Sequence, residues 1–221
     1  PSAATLVAPD TRSLNIMDWQ DNYQPKLNDT VLPLQEYERS RSLAIAPDKS
    51  CFLLGTEWNL QLFDANGQFK WKVPVNIAWA VNISGDGQKA IATLGDGTIR
   101  WYNLATGAEL LAFFPHADGK RWIAWTPSGY YMSSGEDADN LLGWHVNHGR
   151  DQAASFYPVG QKYSKTYKRP EVVQRTLVAL GEKKALEELQ TENTPNEPPR
   201  TPILRIETGM HIASIEQISV D

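Results

Sequence analysis

The sequence predicts an all-β fold: part of a β-propeller, three to four four-stranded blades long, followed by a short helical tail and the start of another β domain. Two periodic columns and one break in composition predict it. The first column is an apolar residue followed by a polar one at the end of an alternating strand: Met17-Asp18, Phe63-Asp64, Tyr102-Asn103 and Trp144-His145. The second lies upstream of the last three, where "LAIAPDKS" from Leu43, "VNISGDGQ" from Val81 and "IAWTPSGY" from Ile123 each run from an alternating strand into a turn of Pro, Gly, Asp or Ser. A second apolar strand follows each turn: Cys51 to Gly55, Ala90 to Leu94 and Tyr130 to Ser134. Both columns step by about 40 residues, and four short strands per step mark a propeller blade. The break is in tryptophan: all eight lie between Trp19 and Trp144, so the propeller core is expected to end there.

In chain order, the propeller occupies 1–157, with an incomplete blade at about 12–38, complete ones at 39–77 and 78–119, and a further one at 120–157. Residues 158–192 read as a connector and helical tail. Pro170 suits the first position of a helix in "PEVVQRTLVALGEKKALEELQ", with Val173, Leu177, Leu180, Leu186 and Leu189 as its apolar stripe and Gly181 as a break between two helices. "TENTPNEPPRTP" supplies an extended Pro-rich linker at 193–202, and 203–221 alternates like the first strands of a further β domain. Propellers close as rings of about four to eight blades. The chain therefore reads as a fragment, its remaining blades coming from the same polypeptide or from a partner chain.

Composition narrows the function classes. A net charge of −5 argues against a general nucleic-acid or anionic-membrane binder, which needs a broad positive field. One cysteine, Cys51, excludes an internal disulfide framework and a cysteine-based zinc site. Its apolar setting in "CFLL" reads as a small buried hydrophobe rather than a reactive thiol. No apolar run is long enough to span a bilayer, and a cytoplasmic location is expected, although a removed leader is compatible with a chain that begins at Pro1.

"IRWYNLATG" resembles the end of the third blade strand in WD-repeat proteins, and "SGDG" and "APDK" resemble that family's turn between the first two strands. The resemblance covers roughly residues 12–157, with the Trp-Asp pair itself replaced in every copy. The longer phrases "RSLAIAPDKSCFLLGTEWNLQLFD", "LGDGTIRWYNLATGAELLAFFPHADGKRWIAWTPSGYY" and "LLGWHVNHGRDQAASFYPVGQKYSKTYKRPEVV" are similar to the last blades of bacterial multidomain proteins that join such a propeller to a caspase-like peptidase domain. This resemblance implies protein partners, a scaffold or sensor role, and a regulated peptidase nearby. The alternative is that the chain belongs to an active caspase-like peptidase whose catalytic residues lie outside it.

His116, Ser134 and Asp137 include all three residue types of a Ser/His/Asp hydrolase. The WD-repeat resemblance implies another role, a buried hydrogen-bonded network of His116, Ser134, Asp137 and Trp144, with Asp139 competing for the aspartate position. No catalytic, cofactor or metal site is expected. "GEDADN" clusters Glu136, Asp137 and Asp139 but lacks a calcium-binding loop, and a solvated turn is the simpler reading. Lys162, Lys165, Lys168 and Arg169, interleaved with Tyr163 and Tyr167, read as a solvated connector rather than a phosphate-backbone site. His145, His148 and His211 lack partners at metal-ligand spacing.

Overall fold

The computed structural model describes residues 9–146, 148, 150, 152–162, 164–193, 203–204 and 218–219. They divide into two compact units, Pro1–Ala112 and Phe113–Asp221. The chain is mostly β, with a helical tail.

The first unit opens with three short strands, β1 (Ile16–Met17), β2 (Lys26–Leu27) and β3 (Thr30–Val31), paired in that order. A four-stranded antiparallel meander follows: β4 (Ser40–Ile45), β5 (Cys51–Thr56), β6 (Asn59–Asp64) and β7 (Phe69–Pro74). The next strands repeat it as β8 (Ala78–Ile83), β9 (Lys89–Leu94), β10 (Ile99–Asn103) and β11 (Glu109–Pro115), neighbours in the same order.

The turns explain why these segments fold alike. Asp48 Oδ1 accepts the Ser50 N–H at 3.0 Å between β4 and β5, and Asp86 Oδ1 accepts the Gln88 N–H at 3.0 Å between β8 and β9. At the end of the third strand Asp64 Oδ1 accepts from Asn66 and Gln68, both at 2.9 Å, and Asn103 Oδ1 accepts from Ala105 at 3.0 Å. An aspartate or asparagine there folds the chain back by bonding its own turn. In these two copies the polar member of the first sequence column, Asp64 or Asn103, is a turn-former.

The aromatic member fills the core. Phe63 lies opposite Phe52 and Tyr102 opposite Ala90, one residue inside the pairs Cys51 with Asp64 and Lys89 with Asn103, so the two copies share a register. "LQLFDANG" and "IRWYNLATG" thus hold equivalent places in different sheets. The β4–β7 sheet is covered on both faces, which accounts for the nearly unbroken apolar run of β5. Leu43, Phe52, Leu54 and Phe63 pack with Ile16, Leu27 and Leu32. Leu53, Leu60 and Leu62 pack with Ala78, Ala90, Ala92 and Tyr102.

Two glycines permit this stacking. A Cβ on Gly55 would lie 2.4 Å from Ser42 Oγ and 2.8 Å from Ala78 Cβ, at the point where β4 and β8 meet. Gly107, at φ +74°, lies under the ring of Trp71, whose indole N–H donates to Leu104 O at 2.8 Å.

The second unit contains a hairpin of β12 (Trp122–Trp125) and β13 (Tyr131–Ser133), a 3-10 helix at Glu136–Leu141, and a hairpin of β14 (Gly143–Val146) and β15 (Ser155–Pro158). From Trp122 to Pro158 the strands pair as two hairpins, β12 with β13 and β14 with β15. The chain at Lys168 bridges Tyr131 in parallel, and the Arg169 N–H donates to Tyr131 O at 3.1 Å.

The connector forms two single turns, α1 (Val159–Lys162) and α2 (Ser164–Tyr167), and the tail forms α3 (Pro170–Ala179) and α4 (Glu182–Asn193). Pro170 opens α3 as its fixed φ favours. The break comes at Leu180, left-handed at φ 58°, one residue before Gly181. Val172, Val173, Thr176 and Ala179 of α3 and Ala185 and Leu189 of α4 are buried, and Arg175 pairs with Glu188 across the helices at 3.3 Å. Ile203–Leu204 pairs with Ile218–Ser219. The Pro-rich stretch from 194, Tyr163, His211 and the rest of 203–221 lie outside the described residues.

Candidate interaction surface

The residues singled out by sequence fall into separate settings. His116 follows β11 in a tight turn where its N–H donates to Arg121 O, and its ring lies 3.1 Å from Asp118 and 3.3 Å from the Arg121 guanidinium. The backbone N–H and guanidinium of Arg121, with the Lys120 N–H, hold the Asp118 carboxyl far below its ordinary range. Ser134 Oγ accepts the Trp122 N–H at 3.1 Å, and Asp137 is exposed in the 3-10 helix. Trp144 packs on the Tyr167 ring at 5.4 Å and against Gly129. Asp118, Arg121, Ser134 and Asp137 line one open cleft of about 670 Å³. No hydrogen bond joins His116 to Ser134 among the described residues.

A buried polar cluster forms one turn further on. Asp139, 5% exposed, accepts from the Ser133 hydroxyl and from Lys168 Nζ at 2.8 Å. Lys168 is thereby engaged in holding the connector against β13, and Arg169 pairs with Glu171. Tyr167 is buried between Tyr130 and Trp144. Burial raises the Cys51 thiol above its ordinary range, so it is a poor nucleophile at neutral pH.

The first unit carries a constellation that sequence reasoning passed over. Glu38 has no exposed surface. One oxygen accepts from Asn59 Nδ2 at 2.7 Å and from the Thr56 hydroxyl, and the other accepts the Gln35 N–H at 2.9 Å. Thr56 Oγ1 in turn accepts the Asn59 N–H at 2.8 Å. This network clamps the loop before β4 to the β5–β6 turn, and within that loop Tyr37 has φ 63° and is 75% exposed. Tyr37 is the third residue of a turn closed by the Glu38 N–H donating to Gln35 O at 3.0 Å, a position that takes a left-handed φ.

Around this clamp, Arg39 and Arg41 converge on Glu57, with Arg39 Nη2 3.0 Å from Oε1. The Arg39 guanidinium lies 5.6 Å from the centre of the Tyr23 ring, and that of Arg41 lies 5.5 Å from the Trp79 ring. Arg41 also reaches the exposed Asp21. Burial disfavours the charged form of Glu57, but hydrogen bonds from Arg39 and Arg41 outweigh it and keep the carboxyl below its ordinary range. Tyr23, Tyr37, Trp58 and Trp79 are all among the exposed large side chains. Only the clustering of "EYERSR" hinted at this site, because its other members come from Tyr23, Glu57 and Trp79, brought together by strand pairing.

No protein-family model and no curated protein matches the chain. Among solved structures, BamB from Moraxella catarrhalis aligns at 19% identity with a TM-score of 0.34, covering 47% of this chain and 36% of that one. The WD40 repeats of RRP9 align at 12% identity with a TM-score of 0.37, covering 45% and 39%. Hydrazine synthase of Kuenenia stuttgartiensis aligns at 13% identity with a TM-score of 0.35, covering 48% and 36%. The chain thus spans less than two-fifths of the length of each. No helix among the described residues is long and apolar enough to cross a membrane, and no group of three or more His, Cys, Asp or Glu there is placed to hold a metal ion.

Proposed function

We propose that the chain is a non-catalytic segment of a WD-repeat-type propeller, acting as a protein-interaction scaffold or sensor module of a larger protein that also carries a caspase-like peptidase domain. One observation carries the propeller part of this reading. Phe63-Asp64 and Tyr102-Asn103 occupy the same register in consecutive sheets, with the same turn-forming bonds. Stacked blades of this kind present loops at both ends and bury their strands, so recognition falls to loop and rim side chains. The peptidase association rests on the resemblance of the long sequence phrases. In this reading His116, Ser134, Asp137 and Trp144 serve the fold, and further blades complete the ring.

The test is a cleavage assay on the purified chain with fluorogenic peptides bearing Asp, Arg or Lys before the scissile bond. No turnover is expected. Turnover abolished by Cys51→Ala or by Ser134→Ala would overturn the non-catalytic assignment and promote that residue to nucleophile.

A further inference from the structure

We infer that the cavity at the β9–β10 turn, beside the loop leading into β8, takes a lysine side chain presented by a protein partner. The inference rests on the interaction-scaffold reading and assigns it a site and a partner chemistry. Three observations carry it.

The first comes from comparing the two sheets. Ser40 pairs with Thr56 and Ala78 with Leu94, so Asn76, two residues before Ala78, holds the place that Glu38 holds before Ser40. In the β4–β7 sheet that place is closed, because Glu38 is fully buried and bonded to Thr56 and Asn59. In the β8–β11 sheet Asn76 and Leu94 stand where Glu38 and Thr56 would be. Leu94 has no hydroxyl with which to close a network, and both residues line a cavity of about 320 Å³.

The second is a buried polar group on the wall of that cavity. Tyr102 is 1% exposed and lines it, and its hydroxyl makes no hydrogen bond among the described residues. Burial, helped by the charge of Glu109, raises the phenol above its ordinary range, so it stays protonated at neutral pH. A phenol left without a partner in such a place costs stability, and a ligand that bonds it recovers that cost.

The third is charge. Arg100 donates to Asp96 and to Glu109, each at 2.9 Å, so two carboxylates share one guanidinium and the wall keeps one negative charge in excess. Among the described residues Glu109 accepts through Oε2 alone, which leaves Oε1 open to an incoming donor. With the Tyr102 hydroxyl and the side-chain oxygen of Asn76, the cavity offers three acceptors, and a lysine ammonium brings three N–H donors and the missing charge. These acceptors stand on a loop, on β10 and on β11, which suits the diverging donors of an ammonium better than the planar fork of a guanidinium. The methylene stem rests on Pro74, Val75 and Leu94 of the same wall.

Ligand-observed saturation-transfer NMR on the full chain tests this with a capped Gly-Gly-Lys-Gly-Gly peptide, its acetyl-lysine, glutamine and arginine counterparts, and n-butylamine. The lysine peptide is expected to bind at least about tenfold more tightly than the acetyl-lysine and glutamine peptides, and to weaken as salt is raised. Glu109→Gln should weaken it by about tenfold and Tyr102→Phe by about fivefold. Tyr102→Phe separates binding from folding: a hydroxyl that serves only the ligand leaves the thermal midpoint equal or higher when removed, and a lower midpoint would overturn the inference. Equal binding of the acetyl-lysine or glutamine peptide, tighter binding of the arginine peptide, or no binding of any probe would overturn it as well. Tighter binding of n-butylamine than of the lysine peptide would mark a site for free amines and overturn the partner class. Lysine-peptide binding that ignores both substitutions would overturn this cavity while leaving the scaffold reading intact. Cleavage of the peptide, read by mass spectrometry, would overturn the scaffold reading and this inference with it.

Discussion

Glu38 illustrates how a single side chain fixes a surface it does not belong to. Its carboxylate has no contact with water, and its hydrogen bonds to Gln35, Thr56 and Asn59 set the turn that carries Tyr37. Replacing Glu38 by Ala leaves buried donors without acceptors, and urea unfolding should show a loss of about 2–4 kcal/mol. Glu57 makes a different prediction, in pH. Its folded pKa is depressed by Arg39 and Arg41, so its contribution is fully present above the unfolded value near 4.3 and is lost as pH falls through the lower folded value. Unfolding free energies measured from neutral pH down to about pH 3 should fall less steeply in Glu57→Gln than in the parent. An equal slope would mean that the two arginines do not stabilise the ionised form.

At the scale of the element, turns and registers decide where strands pair. Gly107→Ala puts a Cβ 2.9 Å from the Trp71 ring at a φ that disfavours alanine, and should destabilise by about 1–3 kcal/mol with a change in tryptophan emission. Asp139→Ala removes the acceptor of Ser133 and Lys168. Faster hydrogen exchange at the Arg169 N–H, which bonds to β13, is the expected result. The meanders of the first unit were legible in sequence because their signals are local: Asp64 and Asn103 bond residues two positions on, and Phe63 and Tyr102 precede them. The 120–157 stretch was less legible. Its second strand, β13, is bridged at Tyr131 by Lys168, 37 residues further along the chain, and no local pattern encodes that contact. The buried aspartate was within reach, since Asp139 and Asp137 both suited the turn, but only burial separates them. The aromatic and arginine surface was the least legible, because Tyr23, Arg39, Glu57 and Trp79 meet only after β4 pairs with β5 and packs on β8.

At the scale of the whole molecule, the β4–β7 sheet sets a standard for the others. Both of its faces are covered, and Phe52, Leu53, Leu54, Leu60 and Phe63 have no exposed surface. The sheet of β8–β11 buries Ala90, Ala92 and Tyr102 on the face toward β4–β7, whereas Ile91, Ile99 and Trp101 on its other face are only half-buried. Apolar strand positions left in that condition are stabilised by a further layer, and in a stacked architecture that layer is another blade. If further blades complete the ring in the functional protein, the 221-residue chain by itself should hide this surface by self-association. Light scattering over a range of protein concentrations should therefore show a mass that rises with concentration, and Trp101→Lys, which places a charge on the half-buried face, should reduce that rise without unfolding the chain. A monodisperse monomer at all concentrations would show that this face needs no partner, and would remove the physical reason for invoking further blades.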